Sequence, residues 1–180
     1  MRLYFALLAA TVVERLLEVV TSYSNARWSF ARGGRELGRE HFPAMVVLHS
    51  AFLLGCAAEP WLAGRTELAS WAPLAVAAVL GCHAVRWWCI ATLGRHWNTR
   101  VIVVPGMVPS EAGPYRWLAH PNYAAVVVEG IALPAIAGAW ITAAGFTVLN
   151  ALLLRRRIAV EDAALADLFA GDANGSTRGA

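Results

Sequence analysis

The residue types most able to do chemistry gather between positions 94 and 129, where Arg, His, Asn and Tyr stand between strongly apolar segments. Within this polar segment the run 120–123, His-Pro-Asn-Tyr, places Pro where the first turn of a helix tolerates it. A helix N-terminus with Arg116 and His120 beside it favours an anionic or carboxylate-bearing ligand. The polar segment therefore predicts a site for a polar small molecule.

Other chemistries are not indicated by the sequence. It contains no HExxH, no GxSxG and no phosphate-binding glycine loop. The three cysteines lack CxxC spacing, so we interpret Cys56, Cys82 and Cys89 as small packing residues. No metal centre is predicted, because the histidines are scattered along the chain: His41, His49, His83, His96 and His120.

The composition around the polar segment is that of a membrane protein. The mean hydropathy is +0.52, only 15% of the 180 residues are charged, and eight are Trp, a residue suited to membrane interfaces. A helical crossing needs about 20 mostly apolar residues. We therefore predict an all-α, polytopic membrane bundle of about five helices, with spans near 3–22, 42–59, 72–93, 122–138 and 140–155.

The last two spans should form a helical hairpin, because only Gly138-Ala139-Trp140 separates them. Residues 1–170 are read as a single domain. Residues 171–180 have almost no apolar content and are predicted to be a disordered tail.

The distribution of Arg predicts the topology. All fifteen basic residues are Arg, and eleven of them lie in 23–41, 94–120 and the C-terminal tail, against Arg2 and Arg65 on the opposite side. The positive-inside rule then places the N-terminus outside and the C-terminus in the cytoplasm, in a membrane that we take to be bacterial. A cleaved signal peptide over 1–22 is disfavoured, because Glu14, Arg15 and Glu18 interrupt its apolar run.

Charged residues inside predicted spans are costly unless they are paired or face the bundle interior. Glu14 and Glu18 share one helical face, and Arg15 is spaced to pair with Glu18, so structural pairing and a functional role remain open for them. Arg86 is expected to face the interior or the cytoplasmic interface, as a membrane anchor or as a ligand contact. Glu129 is the residue least expected to be a passive group.

The segments GPYRWLAHPNY and RRRIAVEDAAL, separated by Glu129 and an apolar hairpin, resemble the isoprenylcysteine carboxyl methyltransferase family. The family pattern is Arg-His-Pro-x-Tyr, an apolar hairpin and a Glu-Glu pair. Here the pair is Glu161-Asp162, and Ala119 replaces the Arg, for which Arg116 or Arg157 could substitute. The resemblance runs from about residue 14 to 168. Within the family, the chain is similar to the small bacterial branch that includes methyltransferases acting on alkylpyrones and alkylresorcinols.

The resemblance implies a five-helix fold, S-adenosylmethionine as methyl donor, and a lipid-like acceptor that arrives through the bilayer. A protein partner or a nucleic acid is not expected. The residues expected around the donor are Tyr115, Arg116, His120, Pro121, Asn122, Tyr123, Arg157, Glu161 and Asp162. Those expected around the acceptor are Arg86, Trp97, Asn98 and Arg100, and the catalytic residues would be Arg100, His120 and Glu129.

Three other functions remain open. The same fold could methylate isoprenylcysteine or a phospholipid, and only the acceptor would differ. A membrane reductase that uses a nicotinamide cofactor is a second possibility, because sterol reductases share the family's C-terminal architecture. A non-catalytic scaffold whose Arg-rich loops bind anionic lipid is the third.

Overall fold

The computed structural model describes the backbone of residues 1–176 and the side chains of residues 1–164 and 166. Within that range the chain forms five α-helices, so the all-α expectation holds for the body of the protein. Their bounds are α1 Arg2–Phe30, α2 Phe42–Leu62, α3 Ala72–Leu93, α4 Pro121–Ile136 and α5 Trp140–Ser176. The prediction for the tail 171–180 falls on residues whose side chains, and from 177 the backbone, lie outside this description.

Helix boundaries follow local sequence signals. Helices α2, α3 and α4 each carry Pro in the first turn, where its missing N–H costs no hydrogen bond. The predicted hairpin between α4 and α5 is present, and Gly138 adopts a φ of 69° at the turn. The carboxylate of Glu59 accepts hydrogen bonds from the backbone N–H groups of Ile141 and Thr142, at 3.1 and 2.7 Å, and so caps α5.

Helices α1 and α5 are much longer than the apolar segments that predicted them. The last two turns of α1 are polar, yet Ser22, Asn25 and Ser29 are buried, because they pack against other parts of the chain. Helix α5 continues beyond residue 155 through the charged segment that carries Arg157 and Glu161. The hydropathy of the sequence therefore predicted only the apolar part of α1 and of α5.

The sequence did not predict the small antiparallel sheet. Strand β1, Arg35–Leu37, pairs with β2, Val101–Val103, with Glu36 opposite Ile102. The β-branched run in β2 was visible in the sequence, but its partner was not. This sheet joins the two Arg-rich connections.

Two stretches, Arg39–Leu62 and Ala72–His96, are long and apolar enough to cross a membrane, and Pro121–Ile136 is apolar but shorter. Among the described residues, only α2 and α3 therefore meet the length and hydropathy expected of a span. That α1, α4 and α5 also cross the membrane stays a prediction. Large apolar side chains are exposed on the outside of all five helices, which is expected where lipid replaces water. Among them are Leu3, Val20, Leu54, Trp61, Leu74, Val128, Ile141 and Val148.

The apolar core lies toward the end of the bundle where α4 turns into α5. Its members include Tyr4, Phe52, Val79, Leu133 and Phe146. The Tyr4 hydroxyl donates a hydrogen bond to the carbonyl oxygen of Cys56 at 2.7 Å, which ties α1 to α2. Free, buried thiols are found at Cys56, Cys82 and Cys89, as predicted for packing residues. The polar segment lies toward the opposite end of the bundle.

Candidate active site

A polar cavity of about 360 Å³ lies between the polar segment and the charged part of α5. The loop after α3 supplies one wall, and the N-terminus of α4 together with α5 supplies the other. The residues predicted to bind a cofactor that line this polar cavity are Tyr115, His120, Pro121, Asn122, Tyr123, Arg157, Glu161 and Asp162. Sequence reasoning thus placed most of its donor-site residues in one concave site.

Hydrogen bonds fix α5 against the start of α4. The Tyr123 hydroxyl donates to Glu161 Oε2 at 2.5 Å, and Arg157 Nε donates to the Tyr123 oxygen at 2.7 Å. His120 Nε2 lies 3.2 Å from Asp162 Oδ1, and its ring stacks on Tyr123 with the centroids 5.2 Å apart. The charged groups are therefore held by a connected network, which gives them a defined orientation.

Two buried polar atoms of this site lack hydrogen-bond partners among the described residues. They are the amide nitrogen of Asn98 and the amide oxygen of Asn122, and both side chains line the polar cavity. Leaving a buried donor or acceptor unpaired costs about 1–3 kcal/mol. A donor and an acceptor are thus available to a polar ligand.

Tyr115 lines the polar cavity from the short 3₁₀ turn Gly113–Arg116. Burial raises the pKa of its hydroxyl above the ordinary value for tyrosine. The phenol therefore stays neutral at physiological pH, so Tyr115 offers a flat ring and a hydroxyl rather than a charge.

A second, apolar cavity of about 580 Å³ lies between α1, α2 and α5. Its walls are mostly aliphatic, with Val12, Leu16 and Val19 from α1, and Leu53 and Leu54 from α2. Several of these side chains are also exposed on the outside of the bundle; Leu16 is 60% and Leu54 70% exposed. The apolar cavity therefore borders the surface that faces lipid.

The two cavities share one wall, which consists of Trp97, Arg100, Val101, Asn122, Tyr123 and Arg157. Trp97 is buried. Arg100 Nη1 lies 3.5 Å from Glu36 Oε2, and its guanidinium stands 4.7 Å from the centroid of the Phe42 ring. Arg157 Nη1 donates to the sulfur of Met45, which lines the apolar cavity, at 3.0 Å. Two cations and two amphipathic aromatic side chains therefore separate a polar space from an apolar one.

Arg116 does not line the polar cavity with the other residues predicted to bind the donor. Its side chain is exposed and lies over the Trp117 ring, 4.7 Å from the centroid, and it lines neither cavity as the described residues define them. Ala119 does line the polar cavity, at the position where the family pattern has Arg. Of the two Arg residues that could replace the family's Arg, Arg157 lines the same cavity as Ala119 and Arg116 does not.

Glu129, predicted to be catalytic, is also placed elsewhere. It belongs to a group of side chains from α1, α3 and α4 that we call the interior ionic cluster: Glu14, Arg15, Glu18, His83, Arg86 and Glu129. Glu129 Oε1 lies 3.6 Å from His83 Nε2, and Glu129 Oε2 lies 3.8 Å from Arg15 Nη2. Glu129 lies two turns after Asn122 in α4. Within the described residues it lines neither the polar cavity nor the apolar cavity.

The interior ionic cluster pairs the charges of α1 with side chains of α3 and α4. Glu18 accepts two hydrogen bonds from Arg86, at 2.8 and 2.5 Å, and lies 3.0 Å from Arg15 Nη1. Glu14 lies 2.9 Å from His83 Nδ1. Three carboxylates thus face two guanidinium groups and one imidazole, so each charge has an opposite partner inside the bundle. The sequence spacing indicated that Arg15 could pair with Glu18 along α1. It did not indicate that the charges of α1 pair with side chains of α3 and α4.

Two residues of α1 that sequence reasoning missed hold the loop of the site. The amide nitrogen of Asn25 donates to the carbonyl oxygens of Gly94 and Trp97, at 3.1 and 2.8 Å. The Ser22 hydroxyl accepts from the backbone N–H of Thr99 at 3.0 Å. Small polar residues at 22, 25 and 29 follow helical spacing, which was the available signal.

We expect Asn25→Ala to loosen the loop that carries Trp97. The carbonyl oxygen of Trp97 loses its described partner, whereas that of Gly94 keeps the backbone N–H of Trp97 at 3.2 Å. A buried group left unpaired costs about 1–3 kcal/mol. Amide hydrogen exchange should therefore rise in residues 94–99, with little change in the distant core. Thr21→Ala serves as the control, because the Thr21 hydroxyl donates within α1, to the carbonyl oxygen of Leu17 at 2.9 Å. Equal protection of this loop in both variants would show that Asn25 does not hold it.

Comparison with known proteins identifies the family. Residues 74–167 match the profile of the isoprenylcysteine carboxyl methyltransferase (ICMT) family. The chain is also 36% identical over 163 residues to the uncharacterized protein YpbQ of Bacillus subtilis (strain 168), a match that covers 91% of this chain and 96% of that protein. The family match supports a membrane methyltransferase in general. The chain belongs to the isoprenylcysteine carboxyl methyltransferase family.

Proposed function

We propose that this protein is an S-adenosylmethionine-dependent O-methyltransferase whose acceptor is an amphipathic lipid, with polyketide-type alkylpyrones and alkylresorcinols as the first candidates. One observation carries the proposal: a polar cavity and an apolar cavity share a wall that contains Arg100, Tyr123 and Arg157. A water-soluble methyl donor suits the polar cavity, and a lipid-like acceptor suits the apolar cavity. The small bacterial branch that the sequence resembles supports this choice of acceptor.

The residues of the polar cavity fit S-adenosylmethionine. Glu161 and Asp162 offer acidic groups for the amine, Arg157 offers a cation for the carboxylate, and the Tyr115 ring offers a flat surface for adenine. The unpaired amide atoms of Asn98 and Asn122 add a donor and an acceptor. When bound, this cofactor supplies an electrophilic methyl group on a sulfonium.

The protein's contribution to the chemistry is alignment and charge stabilisation. Arg100, at the shared wall, holds the acceptor oxygen as an anion, which serves every acceptor class. A 4-hydroxypyrone or a carboxylate is already ionised near neutral pH. A resorcinol hydroxyl, with a pKa of about 10 like that of tyrosine, requires a base. His120, whose Nε2 lies 3.2 Å from Asp162, takes that role.

The proposal includes a topology. Five helices cross the bacterial cytoplasmic membrane, with the N-terminus outside and the C-terminus in the cytoplasm. The polar cavity then opens toward cytosolic S-adenosylmethionine, and the apolar cavity opens toward the bilayer between α1 and α2. The Arg distribution and the exposed apolar side chains support this orientation.

A second candidate function is isoprenylcysteine carboxyl methylation. Family membership favours it, because that reaction names the family. An isoprenylcysteine also joins an apolar chain to an oxygen nucleophile, so the shared wall would serve it equally. The two functions differ in the acceptor alone.

Methyl transfer from labelled S-adenosylmethionine, measured in lipid nanodiscs with alkylpyrones, alkylresorcinols and prenylated cysteine analogues, tests the proposal. We expect label in the alkylpyrone or alkylresorcinol fraction. Label only in the prenylcysteine fraction would support the second candidate. Protein that binds reduced nicotinamide and not S-adenosylmethionine would contradict both and favour a reductase.

Two variants test the assigned roles. We expect Arg100→Ala to lower kcat at least about tenfold, because a charge-assisted hydrogen bond contributes about 1.5–3 kcal/mol. His120→Ala should lower turnover of an alkylresorcinol more than that of an alkylpyrone, which needs no base. Arg95→Ala is the control, because Arg95 is exposed and its described partner is Ser24. If Arg100→Ala and His120→Ala both match the control, these roles are wrong.

A further inference from the structure

Arg86 presents an unused donor at the wall of the apolar cavity. Its side chain is buried, with 6% of the residue exposed, and it lines that cavity. Nε and Nη2 are occupied by Glu18, at 2.8 and 2.5 Å. Nη1 is buried and has no hydrogen-bond partner among the described residues. A buried guanidinium N–H without an acceptor is costly, so Nη1 favours a ligand that offers an oxygen atom.

His49 supplies a matching acceptor in the same cavity. Its Nδ1 lies 2.9 Å from the carbonyl oxygen of Met45, one turn earlier in α2. A carbonyl oxygen only accepts, so Nδ1 carries the proton and Nε2 of the neutral ring is left as an acceptor. His49 and Arg86 both line the apolar cavity, and both also line a small adjoining cavity. A hydroxyl group can accept from Arg86 Nη1 and donate to His49 Nε2.

Arg86 and His49 line the same apolar cavity as Arg100 of the shared wall. Arg86 is bound to Glu18, whereas the loop that carries Arg100 is bound to α1 through Ser22 and the N–H of Thr99. Glu18 and Ser22 are four residues apart, which is about 6 Å along a helix axis. The apolar cavity therefore offers two polar anchoring points, whose attachments to α1 are about one turn apart.

We propose that Arg86, held by Glu18 and assisted by His49, anchors a second oxygen of the methyl acceptor. The inference rests on the proposed function and assigns the residues that anchor the second oxygen of its acceptor. The acceptor carries two oxygen functions on one ring, of which one is methylated beside Arg100 and the other is bound by Arg86. Glu18 is a positioning residue: its two hydrogen bonds set the guanidinium so that Nη1 is the free donor.

The test compares two ligands that differ by one hydroxyl: an alkylphenol and an alkylresorcinol with the same alkyl chain. Equilibrium binding of each labelled ligand to wild-type protein in nanodiscs gives a ratio of dissociation constants. We expect the alkylresorcinol to bind at least about tenfold more tightly, which corresponds to one charge-assisted hydrogen bond. Equal affinities would overturn the proposal.

Two variants test whether Arg86 and His49 cause the preference for the alkylresorcinol. The double variant Glu18→Gln with Arg86→Met removes one charge of each sign, and it should abolish the preference for the alkylresorcinol without weakening alkylphenol binding. His49→Phe leaves the interior ionic cluster intact and should reduce the preference severalfold, so the test does not depend on the fold of the double variant. Arg95→Ala, remote from both anchors, should retain the full preference. A preference that survives in both test variants contradicts the anchor.

Methyl transfer is measured separately on the same samples. A preference for the alkylresorcinol that depends on Arg86 and His49, found without any transfer of label, supports the anchor while it contradicts the proposed function. Transfer of label to both ligands with equal KM values contradicts the anchor while the proposed function stands. The two inferences can therefore fail independently.

Discussion

Replacing Arg157 by Met is expected to lower kcat/KM for methyl transfer about a hundredfold. Arg157 lines both cavities, donates to the Tyr123 hydroxyl at 2.7 Å, and contacts Met45 in the apolar cavity. The substitution removes a cation proposed to bind the donor carboxylate and also leaves Tyr123 without one of its partners. Hydrogen bonds to charged groups contribute about 1.5–3 kcal/mol, so the loss of one corresponds to a change of about tenfold to a hundredfold.

Arg156→Met is the matched control for this variant. Arg156 is the neighbouring residue of α5, is exposed, and lines neither cavity within the described part of the chain. Both variants lose one positive charge from the same run of three Arg residues. A similar loss of activity in both would mean that the charge of the run matters, rather than the position of Arg157 in the shared wall.

Glu18→Ala is expected to destabilise the protein by about 3–5 kcal/mol, which is the usual cost of removing one partner of a buried ion pair. Glu18 is 2% exposed and accepts both hydrogen bonds that Arg86 makes. Its loss leaves the guanidinium of Arg86 buried with no bidentate partner. Unfolding by dodecyl sulfate in mixed micelles, followed by tryptophan fluorescence, measures the difference in the free energy of unfolding.

Glu40→Ala provides the comparison, because the Glu40 side chain is 73% exposed and lies 3.5 Å from His41. A surface substitution of this kind usually changes stability by about 0.5 kcal/mol or less. The double variant Glu18→Gln with Arg86→Met should recover much of the lost stability, since it leaves neither charge unpaired. Equal stability of Glu18→Ala and Glu40→Ala would show that the interior ionic cluster does not hold the bundle together.

Local spacing in the sequence was enough to predict many of the residues that line the polar cavity. His120, Asn122 and Tyr123 lie within one turn at the start of α4, and Arg157 and Glu161 lie one turn apart in α5. Residues three or four apart on a helix share a face whatever the tertiary arrangement is, as Arg157 and Glu161 do. Arg116 lies outside both cavities as the described residues define them, in a 3₁₀ turn where no α-helical periodicity constrains the direction of its side chain.

Contacts between distant segments could not be predicted in the same way. Glu18 and Arg86 are 68 residues apart, and Asn25 and Trp97 are 72 apart. Each of these residues has a plausible local partner or a plausible solvent-facing role in the sequence alone. The pairing of β1 with β2 also depends on how α1 and α3 are placed, because neither three-residue strand is stable by itself.

The amino-acid sequence by itself determined the helical, membrane-type character of this protein, its family and the polar end of its bundle, because hydropathy and helical spacing are properties of contiguous residues. Only the tertiary structure decided that Glu129 and Arg86 join an interior ionic cluster and that a polar and an apolar cavity share Arg100, Tyr123 and Arg157. Those arrangements depend on how each helix is rotated against its neighbours. Helix rotation is fixed by packing across the bundle and not by the sequence of any single helix.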